Sequence, residues 1–475
     1  MCMDYPSSQL KASPCLENLP VDILIQIYKH LDGRDIITLR KSCRKLHTVT
    51  QQRTVWSNAV RRMCRRHGVF TPSFPLENMS TTELEHASLC PSRLSSLIHN
   101  EIPLQSFVTR ILEPRTPSIV TNFEGKLICT DAFLIPGGRF LVVNSTHHGI
   151  YLWDLGIHGG KAPRFRPVGV IPEVGRSLLC GPTQDGLGII LISCPTSTSD
   201  GTLCAYEIYP CMDYASVGLR HALYGNLLVF QLNSPDYIVA WNIRLDTAIA
   251  WRYDHQGWYD LHNMIIYEGS VVVIEDKQLS VWDIPPLQPL LQGICEVVDQ
   301  TPQYAIINSF PEEEGFVGSS ILGPWFSNID PPISIGILGY SDETEKCVML
   351  CYTIRSINPS GDPILPTLFP IKMGMVPNLP IDDQADGPDM VDFSGPLQYC
   401  DDELCYISSS HRGMVISLIA PPISLNGPSS SKTTTLFSRW RKFCSWSFCA
   451  ASGRLVIVDD DGIIRIMDFL VPPPS

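Results

Sequence analysis

From Leu19 onward the apolar positions recur at offsets of one, three and four, the spacing of one face of a helix. Pro20 suits a first helical turn and Asp22 complements its positive end. Ile23, Leu24, Ile27, Tyr28 and Leu31 supply the apolar stripe, and Asp32-Gly33 ends the element. Asp35 is placed to cap a second helix, with Ile36, Ile37, Leu39, Cys43 and Leu46 as its stripe. Val49, Val55, Trp56, Ala59, Val60 and Met63 predict a third, stopped at Gly68. Residues 1–14 are polar and broken by proline, the pattern of a flexible tail. Residues 68–120 mix proline with short apolar stretches such as Leu94, Leu97 and Ile98 and read as a helical connector.

Near Phe123 the period changes. Short apolar runs separated by turn residues continue to the C-terminus and predict strands, so residues 121–475 form an all-β domain. Runs closing on an aromatic or apolar residue and a polar one recur as Trp153-Asp154, Tyr206-Glu207, Trp241-Asn242, Trp282-Asp283, Tyr352-Thr353 and Met467-Asp468. Trp241 and Trp282 are 41 residues apart, within the roughly 40 to 45 of a four-stranded propeller blade, and Trp153 lies 88 residues before Trp241, about two such units. Within one unit, residues 264–267, 270–274 and 279–284 are strands around Glu268-Gly269 and Asp276-Lys277 turns. Residues 446–451, 454–458 and 463–469 repeat the arrangement around Ser452-Gly453 and Asp461-Gly462. With a further unit near residues 404–419, the expected fold is a propeller of roughly seven blades. Residues 377–396 and 421–435, rich in Pro, Asp, Ser and Thr, read as mobile insertions. Ring closure needs a strand from the far end of the domain, and residues 118–123 are the expected donor to the last sheet.

Composition sharpens the division. The 475 residues are 44% apolar and 17% charged, which excludes a mostly disordered chain or a charged coiled coil. The first 70 residues hold 12 Lys/Arg and 5 Asp/Glu, net +7, which leaves −20 of the total −13 on the remainder. An acidic bulk repels phosphate backbones, so no nucleic-acid partner is expected. The N-terminus lacks the continuous apolar stretch of a secretory signal and no run of 18 apolar residues occurs, so no membrane association is expected. The 17 cysteines have no repeating spacing and form no Cys-x-x-Cys pair, which points to a reducing compartment, cytoplasm and/or nucleus.

The segment Leu19-Pro20-Val21-Asp22-Ile23-Leu24-Ile25-Gln26-Ile27-Tyr28, followed by Leu31, Asp35-Ile36, Leu39-Arg40 and Cys43-Arg44-Lys45-Leu46, resembles the F-box. The likeness covers residues 16–56 and departs from the family at Leu46-His47, where many members have a larger aromatic. It implies a three-helix F-box over residues 15–67 that docks a Skp-type adaptor, and through it a cullin scaffold. On this reading Leu19, Pro20, Ile23, Leu24, Ile27, Leu31, Ile36, Leu39, Cys43 and Leu46 bind the adaptor. A unit of about 50 residues cannot bury three amphipathic helices fully, so apolar surface is left for a partner. The bland alternative is that these residues pack a helical cap. The Trp-Asp endings resemble WD-type propellers without the Gly-His half of that signature. Trp258-Tyr259 and Trp325-Phe326, set among Gly, Asp and Pro, are the candidates for contacting a protein substrate.

Chemistry-bearing patterns add little. No nucleotide, hydrolase or zinc-protease motif occurs. Asp459-Asp460-Asp461-Gly462 lacks the alternation and downstream Glu of a calcium loop and reads as a hairpin turn. His147-His148 has no partner at ligand spacing. The Cys347/Cys351, Cys400/Cys405 and Cys444/Cys449 pairs read as small buried residues, and Arg61, Arg62, Arg65 and Arg66 as a basic helix end. No cofactor and no metal are expected. The whole predicts a non-catalytic substrate receptor of a cullin-RING ubiquitin ligase. Two alternatives stay open: a propeller scaffold that binds the adaptor without ubiquitylation, and a propeller hydrolase with a central metal or carboxylate site.

Overall fold

The computed structural model describes residues 16–112, 129–145, 149–157, 167–171, 175–183, 185–195, 204–209, 218–219, 227–233, 236–242, 245–253, 261–267, 269–275, 278–290, 295–307, 314–321, 334–341, 346–356, 368–379, 397–410, 413–420, 430–438 and 443–472. The tail at 1–14, the 118–123 segment and His147-His148 lie outside these residues. The chain divides into two units: one holds residues up to Met63 together with Leu76–Leu89, the other Cys64–Pro75 together with Cys90–Pro472.

The first unit is built on α1 (Val21–Tyr28), α2 (Gly33–Arg40), α3 (Arg44–Val49) and the start of α4 (Arg53–Arg66), with the start of α5 (Thr81–His99) added from further along the chain. The predicted second helix is therefore two. The chain breaks at Ser42-Cys43, where Cys43 is extended at φ −155° and ψ 163°. Asp32, not Asp35, stands at the start of α2, and its carboxylate receives Arg62 Nε at 2.7 Å. Space is tight at Gly33, where a Cβ would meet Leu89 Cδ2 at 3.0 Å and Ser88 O at 3.2 Å. Leu24, Tyr28, Ile36, Leu46, Val55, Trp56, Val60 and Leu84 are buried. The Trp56 indole donates to Thr50 O at 2.7 Å, and the Arg40 guanidinium lies 5.0 Å over its ring while gripping Glu85 through both arms at 2.9 and 2.7 Å. Arg53 donates to the carbonyls of Leu76 and Met79. Residues 76–89 thus complete a unit that the sequence placed within 15–67.

The second unit is a β-propeller. Where the sequence suggested roughly seven blades, the described strands form six four-stranded sheets and one five-stranded sheet. In chain order, leaving aside the closing strand, the seven sheets open with strands that begin at Cys129, Gly175, Leu227, Leu261, Glu314, Gln398 and Phe443, and neighbouring strands pair antiparallel except Val297–Val298, which pairs parallel with Thr247–Arg252. Apolar side chains facing between sheets close the core, as Ile189, Leu191, Tyr206 and Ile208 do against Ile150 and Leu152. The aromatic endings are core residues: Trp153, Tyr206, Trp282 and Tyr352 are buried, whereas Trp241 is half-buried with its indole donating to Asp246 at 3.2 Å.

Closure is made by a different strand from the one expected. Val108–Leu112 pairs antiparallel with Ile464–Asp468 and forms the outer edge of the last sheet, so the β domain begins before residue 121. Arg110 on that strand donates to Asp468 Oδ2 at 2.9 Å and to Leu155 O at 2.7 Å. The buried Arg454 binds the other oxygen of Asp468 and donates to Gly156 O at 2.9 Å and to Gly138 O. Burial first and then the neighbouring Arg454 charge pull the Arg110 pKa down, and Asp468 opposes both.

Three further expectations change. The 41-residue period concealed a crossover: after Gln278–Asp283 the chain returns to the preceding sheet, pairing Gln288 with Ala248 and Val297 with Ala250, before Tyr304–Ile307 completes its own sheet. The insertions are shorter than predicted, since Leu368–Leu379 and Ser430–Ser438 are strands. The second is an outer edge, where Ser, Thr and Lys alternate with the buried Thr434 and Leu436 and so mimic a loop in sequence. Cys64–Pro75 belongs to the propeller unit: Phe70 packs edge-on against Phe140 at 6.0 Å, its N–H donates to Pro136 O at 3.0 Å, and Arg139 donates to Pro72 O at 3.1 Å.

Candidate functional site

The residue pattern that sets the first unit apart is α1 itself. Its sequence, Val-Asp-Ile-Leu-Ile-Gln-Ile-Tyr, is apolar on more than one face. Leu24 and Tyr28 use one face for the unit's core, both 1% exposed. Among the described residues nothing covers the other face: Val21 is 42% and Ile23 47% exposed. Pro20 is exposed, Leu19 and Ile27 are half-buried, and Leu16 on the preceding turn is also exposed. A helix apolar on all sides is usually covered on both, so the exposed apolar side is the candidate docking face.

Local geometry holds this face in shape. Leu19 N–H donates to Leu16 O at 3.2 Å, forming a single turn ahead of Pro20, and Leu24 N–H donates to Pro20 O at 3.1 Å, so the proline stands at the start of the helix where its missing N–H costs nothing. Lys45 on α3 donates to Leu19 O at 2.8 Å, clamping the start of the strip from the side. Tyr28 donates to Leu46 O at 3.4 Å, joining α1 to α3, and burial raises its pKa.

The sequence-assigned adaptor residues separate into three groups. Pro20 and Ile23, with the partly covered Leu19 and Ile27, lie on the open strip. Leu31, Leu39 and Cys43 are half-buried around the α1–α2–α3 turns. Leu24, Ile36 and Leu46, between 0% and 4% exposed, are core residues beneath that strip. Leu16 and Val21, not among the sequence-assigned residues, are exposed beside that strip; the all-round apolar character of α1, which a one-stripe reading discards, is the signal for Val21.

The remaining candidates fare unevenly. Trp258, Tyr259, Trp325 and Phe326 lie outside the described residues. Asp461-Gly462 is a turn, with Gly462 at φ 69° and its N–H donating to Asp459 O at 2.8 Å, while Asp459 Oδ1 accepts Ile463 N–H at 2.8 Å. Among the described residues no three His, Cys, Asp or Glu side chains are placed to hold a metal ion. Cys351, Cys400, Cys405 and Cys449 are buried, and burial pushes Cys351 up to about 12; Cys444 is the departure, being exposed. The expected basic helix end is half neutralised, because Arg62 binds Asp32 and Arg66 binds Asp402.

The F-box-like family matches residues 16–62. Solved structures similar to the chain include the RRP9 WD40 repeats, at 12% identity and TM-score 0.42 over 77% of this chain and 98% of that one. The Cps50 (Swd1) β-propeller domain of Myceliophteria thermophila is similar at 8% identity and TM-score 0.40, over 74% and 98%. A chain of the Mitotic Checkpoint Complex is similar at 10% identity and TM-score 0.40, over 78% and 96%. No curated protein matches the chain.

Proposed function

We propose that this chain, an F-box-like domain followed by a β-propeller, is the substrate-recognition subunit of a cullin-RING ubiquitin ligase. The observation that carries the reading is the uncovered apolar side of α1, within the segment that matches the F-box-like family. F-box domains generally bind Skp-type adaptors, and the strip Leu16, Leu19, Pro20, Val21, Ile23 and Ile27 is the surface such an adaptor would cover. The cullin scaffold follows through the adaptor.

The mechanism is proximity. The propeller presents loops from many sheets on one rigid ring, a surface suited to holding a protein target. A target held on the same assembly as a ubiquitin-charged enzyme meets it at a high effective concentration, and no side chain of this chain takes part in bond making. The free cysteines, among them Cys43, Cys64, Cys90 and Cys449, support work in the reducing cytoplasm or nucleus.

The test is a binding titration of the full chain with recombinant Skp-type adaptor, followed by reconstitution with cullin and a charged conjugating enzyme. Saturable binding lost on Ile23→Asp supports the docking face. Binding without ubiquitylation of any co-purifying protein favours the scaffold reading, and absence of binding by the parent overturns the proposal.

A further inference from the structure

Between Ile36 and Leu76 the chain contains nine Lys/Arg and no Asp/Glu. Several of these cations are used inside the protein. Arg40 binds Glu85, Arg62 binds Asp32, Arg66 binds Asp402, and Arg53 is taken up by two carbonyls. Lys41, Arg44 and Lys45 are not neutralised. They crowd the corner where α2 ends and α3 begins, all three side chains are exposed, and among the described residues none meets a carboxylate. Three like charges within five residues repel one another, and apart from the bond from Lys45 to Leu19 O no contact among the described residues holds them there.

Their position gives the reason. Lys45 Nζ rests 2.8 Å from Leu19 O, so this corner borders the open apolar strip at its Leu19-Pro20 end. We propose that the corner is the charged rim of the docking face, and that the partner covering the strip brings carboxylates against Lys41, Arg44 and Lys45. The inference rests on the adaptor reading given above and adds the chemistry of the partner: apolar anchors flanked by an acidic segment. A protein surface fits better than a nucleic acid, because a phosphate backbone has nothing to bury against Leu16, Val21 and Ile23. The residues after the first 70 also carry −20, which would repel a polyanion. Rim charges of this kind act mainly on the rate of encounter and on its salt dependence, while the apolar anchors set the lifetime of the complex.

The experiment measures association and dissociation rates of the full chain with recombinant adaptor at several salt concentrations, for the parent, for Lys41→Glu with Arg44→Glu, and for Ile23→Asp. Both cations are exposed, so thermal melting of the double variant should match the parent. Lys45 is left alone because its bond to Leu19 supports the strip. The expected result is parent association that slows as salt rises, and a double variant that associates about tenfold more slowly at low salt with a flattened salt slope. Parent association independent of salt, or a double variant that keeps the parent's rate and slope while Ile23→Asp abolishes binding, overturns the charged rim and leaves the adaptor reading standing. Ile23→Asp binding like the parent overturns the adaptor reading itself. Salt-sensitive self-association of the chain without adaptor would assign the corner to a second copy, and capture of duplex DNA or RNA in place of adaptor to a polyanion; either overturns the rim.

Discussion

Asp468 holds two arginines in the seam that closes the propeller, and replacing it with Asn tests whether that seam governs stability. The carboxylate is 0% exposed, as is Arg454 as a residue, and the Arg110 side chain is 11% exposed. The substitution keeps the shape but removes the negative charge shared by two guanidiniums. Removing one partner of a buried pair costs about 3 to 5 kcal/mol, since the charge left behind has lost its hydration without recompense. With a urea slope of about 3 kcal/mol per molar, the midpoint falls by more than about 1 M. Because Arg110 sits on Val108–Leu112 and donates to Asp468 and Leu155, part of the loss comes from releasing the closing strand. In an Arg110→Met background the cost of Asp468→Asn should therefore shrink, which a double-mutant cycle of urea midpoints followed by tryptophan fluorescence reads directly. A shift under about 0.5 kcal/mol, or full additivity with Arg110→Met, would refute the argument that this network carries the closure.

Other expectations follow from particular contacts. Phe70→Ala should cost about 3 to 5 kcal/mol of propeller stability, because Phe70 is 2% exposed against Phe140 and Ile135; a chain starting at residue 64 should accordingly melt higher than one starting at residue 71. A fragment of residues 15–67 should be less helical and melt lower than one of residues 15–100, since only the longer one keeps Glu85 against Arg40 and the carbonyls that hold Arg53; equal melting by circular dichroism would contradict this. Burial holds the Cys64, Cys90 and Cys351 thiols near 12 against an ordinary value of 9, so their contribution to stability is intact below about pH 9 and is lost as pH rises toward 12, where the unfolded thiols ionise first. At pH 8 these three should resist iodoacetamide in the native protein and react once it is denatured, read peptide by peptide by mass spectrometry.

How much was legible follows from how local each feature is. The hairpins Leu261–Tyr267 with Ser270–Glu275 and Arg454–Asp459 with Ile464–Asp468 were readable because period-two runs and a Gly turn lie within about fifteen residues. The closing strand was misplaced onto 118–123, although Val108-Thr109-Arg110-Ile111-Leu112 carries its own alternation, with Ile111 exposed and Leu112 buried. What the sequence lacked was the partner strand more than 350 residues away that decides between two similar runs. The crossover of Gln288–Pro289 and Val297–Val298 back to Thr247–Arg252 was invisible for the same reason, because two residues of pairing in each leave no period to detect. Residues 64–75 and 76–89 each joined the unit opposite to the one that simple chain order suggested, through single anchors such as Phe70 and Glu85.

The same distinction separates the two ends of the function. The proposed docking face, one short helix and the turn before it, is written in about a dozen consecutive residues, so its chemistry can be recognised before the fold is known. Even there burial had to sort anchors from core: Leu24 and Ile23 are neighbours and equally apolar, yet one is 1% exposed and the other 47%. That difference comes from which side of α1 meets α3 and its Leu46, a fact of packing that hydrophobicity alone does not contain. A propeller surface is assembled from loops whose sheets start as far apart as Cys129 and Phe443, and no local pattern joins them. The identity of a partner bound there is therefore encoded in the relative placement of distant side chains, whereas the Leu16 to Ile27 strip can be tested with single substitutions.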